Sequence, residues 1–119
     1  MAAEFEEKLT ELAQLKPNWA GESSEAPSQA NIDFLRVILI GIPPEFPLPN
    51  VRAGFNGELI CTWAEYEVYA TLDLDDELEV SYVMENMEYS TTYENTQSAD
   101  EMRELILKRL RKVSQRIKT

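Results

Sequence analysis

Between Tyr66 and Met84 the chain alternates apolar and polar residues with a period of two, which a helix cannot use. Tyr66, Val68, Ala70, Leu72 and Leu74 alternate with Glu67, Tyr69, Thr71 and Asp73. After the turn signal Asp75-Asp76, Leu78, Val80, Tyr82 and Met84 alternate with Glu77, Glu79, Ser81 and Val83. Two antiparallel strands with one covered and one wet face follow from that pattern. Upstream, Val51 to Phe55 and Glu58 to Ala64 flank Asn56-Gly57, a strong two-residue hairpin signal. Residues 86 to 95 fit either a further strand through Met87, Tyr89 and Thr91 or an irregular polar loop.

The covered face needs helices, and three segments supply them. Phe5, Leu9 and Leu12 recur at helical spacing in residues 3 to 15, with glutamates at the positive end of the dipole and Pro17 beyond. Trp19, in the polar loop that follows, is expected to fold back on the core. Ser28 is a suitable N-cap for a helix to Ile40 that is apolar nearly all round and so expected to be buried; Gly41 ends it. The prolines of Pro43 to Pro49 require an extended connector, which outweighs a reading as an SH3-type ligand. Ser98-Ala99-Asp100-Glu101 is a capping box, followed by a stripe of Met102, Leu105, Ile106, Leu110, Val113 and Ile117. The expected fold is a single α+β domain over 1–119. It has two N-terminal helices, a four-stranded antiparallel β-meander and a C-terminal amphipathic helix, with the helices mainly on one sheet face.

Residues from about Leu9 to Val83 resemble a family of small bacterial proteins. The motifs concerned are Asn18-Trp19-Ala20-Gly21, the proline segment Pro43 to Pro49, and Gly57-Glu58-Leu59-Ile60-Cys61-Thr62-Trp63. Ala20 stands where the family pattern has aspartate, which removes any role for that carboxylate. The resemblance implies the fold and carries no activity with it.

Function is bounded first by what is missing. The chain has no histidine and one cysteine, which excludes structural zinc sites and Ser-His or Cys-His nucleophile systems. Cys61 alternates with Leu59 and Trp63, so it is expected to be an inert core thiol. The run Asp73-Leu74-Asp75-Asp76-Glu77 has acids spaced as in a calcium loop. The glycine and glutamate that an EF-hand needs at its sixth and twelfth positions are here Leu78 and Met84, and a solvated acidic turn is the better reading. No cofactor or metal is expected, and no enzyme activity. No stretch approaches the roughly 18 apolar residues of a membrane span. The N-terminus is acidic where a secretory leader is basic and then apolar, so the expected location is cytoplasmic.

The net charge of −11 is unevenly placed. No lysine or arginine occurs from Ala53 to Met102, whereas the last segment carries Arg103, Lys108, Arg109, Arg111, Lys112, Arg116 and Lys118. Cations towards a helix C-terminus complement its dipole, and the acidic remainder repels phosphates, so direct nucleic-acid binding ranks low. The wet sheet face is the stronger candidate. Glu65, Glu67, Tyr69, Asp73, Glu77 and Glu79 are the expected partner-binding residues, around a centre of Ile60, Thr62, Tyr69, Thr71 and Val83. The expected function is that of an acidic inhibitor or neutraliser of the antitoxin, immunity-protein or phage defence-inhibitor type. It would mimic nucleic acid and mask a basic, nucleic-acid-binding surface of a partner protein. The alternative is a non-catalytic scaffold that packs against an identical copy as a homodimer.

Overall fold

The computed structural model describes residues 3–72, 78–84, 87–93 and 98–117. In chain order the elements are α1 (Ala3–Ala13), α2 (Gln29–Ile40), β1 (Asn50–Ala53), β2 (Leu59–Trp63), a 3₁₀ turn (Ala64–Tyr66), β3 (Val68–Leu72), β4 (Leu78–Met84), β5 (Met87–Tyr93) and α3 (Ala99–Ile117). The strands form one antiparallel meander in the order β1-β2-β3-β4-β5. The α+β fold and the C-terminal helix are as expected. The segment left open between strand and loop adds a fifth strand, β5, to the expected four.

The phase of the alternation is as read from the sequence. In β2, Leu59, Cys61 and Trp63 are buried, while Ile60 and Thr62 are half-buried; in β3, Val68, Ala70 and Leu72 are buried, while Tyr69 and Thr71 are half-buried. The buried row joins Val51, Phe5, Leu9, Ile32, Leu35, Ile38, Met102, Ile106 and Leu110 in one hydrophobic cluster, so the helices cover this face. Across the sheet, α1 packs on β1, α2 lies between α1 and α3, and α3 packs on β3 and β4. The stripe of α3 is rotated slightly from expectation. Leu107 is buried in it, whereas Leu105 and Val113 pack only partly against the core.

The caps form where the sequence puts them. The Ser28 hydroxyl accepts from the Asn31 N–H at 3.1 Å, and the Ser98 hydroxyl from the Glu101 N–H at 3.1 Å. Each satisfies one of the orphan donors of a first helical turn.

Four local expectations are corrected. First, α2 is not buried all round: Val37 and Ile40 are 52% and 64% exposed, since α1, α3 and the sheet cover only part of its circumference. Second, Trp19 lies outside the core, its indole N–H donating to the Glu25 carbonyl at 2.6 Å over its own loop. That loop is held by Asn18, whose side chain accepts from the Ser23 N–H, and by Gly21 at φ 117°. The Asn-Trp-x-Gly motif is thus a turn device built on left-handed backbone. Third, the β1–β2 hairpin has a three-residue loop. The Gly57 N–H reaches the Gly54 carbonyl at 3.1 Å and Gly57 takes φ 80°, the pattern of a turn closed by a glycine bulge.

Fourth, Arg103 does not belong to a free basic surface. Its Nε donates to the Ile38 carbonyl at 2.7 Å and a terminal nitrogen donates to the Val37 carbonyl at 2.6 Å, while Asp100 pairs with its other terminal nitrogen at 2.8 Å. These carbonyls belong to the last turn of α2, where the helix has no partners of its own for them. Arg103 therefore caps α2 from α3. A side chain at Gly41 would meet the guanidinium, so this glycine leaves room for the capping contact; its own φ is −91°.

Candidate functional site

The site residues expected on the wet sheet face separate into three groups. Tyr69 lies on that face, half-buried in the middle of β3. It stands in a row with Asn50, Thr62, Ser81 and Ser90. The neighbouring row is Arg52, Ile60, Thr71, Glu79 and Thr92, so Glu79 also holds a wet-face position by register. Val83 belongs to the same face, opposite Glu88 of β5.

Glu65 and Glu67 are not on the sheet face. Trp63 pairs with Val68, so the four residues between them form the β2–β3 connection. The Glu67 N–H closes it on the Ala64 carbonyl at 3.1 Å. The chain turns here because Tyr66 leaves the strand phase and sets its ring edge-on against Phe46, with centroids 5.9 Å apart at 71°. Phe46 is held in place by the proline connector, whose Pro47 carbonyl accepts the Trp63 indole N–H at 3.0 Å. Glu65 and Glu67 consequently stand exposed at one end of the sheet. Asp73 and Glu77 lie outside the described residues. They belong to segment 73–77, which links β3 to β4 at the opposite end of the strands.

What results is a face with an uncharged centre and acids in the chain at its two ends. Ile60, Thr62, Tyr69 and Thr71 form the centre. Neighbouring strands are about 4.8 Å apart and alternate residues about 6.7 Å apart, so these four side chains make one contiguous patch.

Glu67 has an unusual backbone. It occupies the left-handed region at φ 52°, ψ 39°, the C-cap position that glycine ordinarily fills. A side chain there costs of the order of 1–2 kcal/mol. The sequence offers no periodic signal for this, because the residue follows a 3₁₀ turn hidden inside an apparent strand.

The remaining chemistry is sparse. Cys61 is buried and its thiol is pushed up to about 12 by desolvation, so it stays protonated and unreactive near neutrality. Among the described residues no three Cys, Asp or Glu side chains gather as metal ligands, and no helix is long and apolar enough to cross a membrane. A groove of about 790 Å³ runs along α3 past Asp100, Glu101, Glu104, Leu105, Lys108 and Arg111. Its signs are ordered, acids towards the helix start and cations further along. Comparison of the chain with protein-family models, curated proteins and solved structures gives no match.

Proposed function

We propose that the protein is a non-catalytic, acidic binding protein that uses the wet sheet face to neutralise a partner with a basic, nucleic-acid-binding surface. The role is of the antitoxin, immunity-protein or phage defence-inhibitor type, and a cytoplasmic setting suits it. Ile60, Thr62, Tyr69 and Thr71 make the contact centre; Glu65, Glu67 and Glu79, with Asp73 and Glu77 in the β3–β4 link, supply the negative charge around it. An uncharged centre within a charged rim matches the usual build of a protein interface.

The observation that carries this reading is Glu67. Glycine would relieve its backbone, yet the chain keeps a carboxylate there, exposed and beside the patch. Unlike Asn18, whose side chain closes its own turn, Glu67 keeps this backbone with no side-chain bond in the turn, which supports a role outside stability.

The test is Glu67→Gly. Removing the left-handed strain offsets the entropy that glycine adds to the unfolded chain, so stability should stay level or rise by up to about 1 kcal/mol. Association with the partner, obtained by capture from the native host and identified by mass spectrometry, should slow severalfold. A loss of stability with unchanged association would make Glu67 a structural residue and remove the main support for the site.

A further inference from the structure

We infer that two copies of this chain associate through their β5 strands, antiparallel about a two-fold axis at Ser90, so that the two meanders become one continuous sheet. The inference does not depend on the wet face having a partner.

The two edges of the sheet are unlike. β1 is four residues long, follows Pro49, exposes Arg52 and has α1 packed on it, all of which discourage pairing. β5 is seven residues long and reads Met-Glu-Tyr-Ser-Thr-Thr-Tyr, without proline, lysine or arginine. Among the described residues no strand pairs with its outer side. By register Tyr89 and Thr91 continue the helix-side rows of Val68 and Ala70, and both are exposed.

The occupant follows from self-complementarity. Met84 pairs with Met87 across a two-residue connection, and the closing pair of such a hairpin is the hydrogen-bonded one. Alternation then turns the backbone groups of Glu88, Ser90 and Thr92 away from β4. Antiparallel pairing centred on Ser90 sets Ser90 against Ser90 and Glu88 against Thr92, so every outward group meets an outward group. The only charge in the strand, Glu88, avoids its own copy. On the helix side Tyr89 falls opposite Thr91, an aromatic–β-branched pair of the kind that favours sheet pairing.

Light scattering or sedimentation of the intact chain should give twice its mass, falling to one chain on dilution. Ser90→Pro removes an outward N–H and none shared with β4, so it should leave the circular dichroism unchanged and abolish the dimer. Should that variant fail to fold, amide exchange of the wild type decides. Protection at Glu88, Ser90 and Thr92 should fall with dilution while that at Tyr89 and Thr91 holds. One-chain mass at every concentration would overturn the inference. So would a dimer indifferent to Ser90→Pro, or exchange at the three outward amides that ignores concentration.

Discussion

Leu72→Ala is expected to lower the unfolding free energy by about 2–5 kcal/mol, the usual cost of truncating a buried leucine that its neighbours cannot collapse around. Leu72 is 2% exposed, lies between Leu59 and Leu78 in the sheet and belongs to the same cluster as Leu35, Trp63 and Ile106. The control is the next residue. Thr71 points to the wet face, so Thr71→Ala should shift stability by only about 0.5 kcal/mol. Urea denaturation of both variants reads the phase of β3 directly. Equal or reversed costs would mean that the helices cover the other face, and the proposed contact patch would then be part of the core.

Arg103→Ala carries the second large effect. It strips two charge-assisted hydrogen bonds from the carbonyls of Val37 and Ile38 and leaves the end of α2 without its cap. Hydrogen bonds to a charged group contribute about 1.5–3 kcal/mol each, and water can reach part of this site, so a loss of about 2–3 kcal/mol is expected. Gly41→Ala should act through the same contact. The new methyl displaces the guanidinium, which is flexible enough to swing away but loses both carbonyls when it does. The two substitutions should therefore be strongly non-additive, with the double variant close to Arg103→Ala alone. Simple addition of the two losses would show that Gly41 and Arg103 act independently.

These two sites also show what the sequence could convey. The alternation from Val68 to Leu72, the cap at Ser28 and the capping box at Ser98 were legible because each is local: one face, one turn, one hydroxyl and the N–H three residues on. Arg103 was not legible, because its partners are 65 and 66 residues away and its charge was indistinguishable from those of Lys108 and Arg111. Leu107 escaped the stripe because α2 packs against the flank that the sheet does not reach. The strand β5 was half-legible. Its tyrosines and threonines favour a sheet and Met87, Tyr89 and Thr91 alternate with polar residues, but the segment is too rich in polar residues for that pattern to separate it from a loop. At the site, Tyr69 and the neighbouring Thr62 and Thr71 were placed on the wet face by period alone. For Glu65 and Glu67 the same period misleads, because Tyr66 imitates an inward strand residue. What draws it out of phase is the ring of Phe46, twenty positions earlier behind a proline connector.

The central claim is that negative charge around the wet face draws in a basic protein. The most direct measurement is the association rate with that partner as a function of salt, for the wild type and for Glu65→Lys/Glu67→Lys/Glu79→Lys. Screening shortens electrostatic reach to about 10 Å at 0.1 M salt, so steered encounter fades while short contacts persist. The wild-type rate should fall by about tenfold or more from low to high salt. The triple variant should start slow, respond little to salt and no longer compete with nucleic acid for the partner. Glu65 and Glu67 are exposed, and exposed acids contribute little to stability, so their reversal should leave the protein folded. A triple variant that associates as fast as the wild type at low salt would contradict the claim.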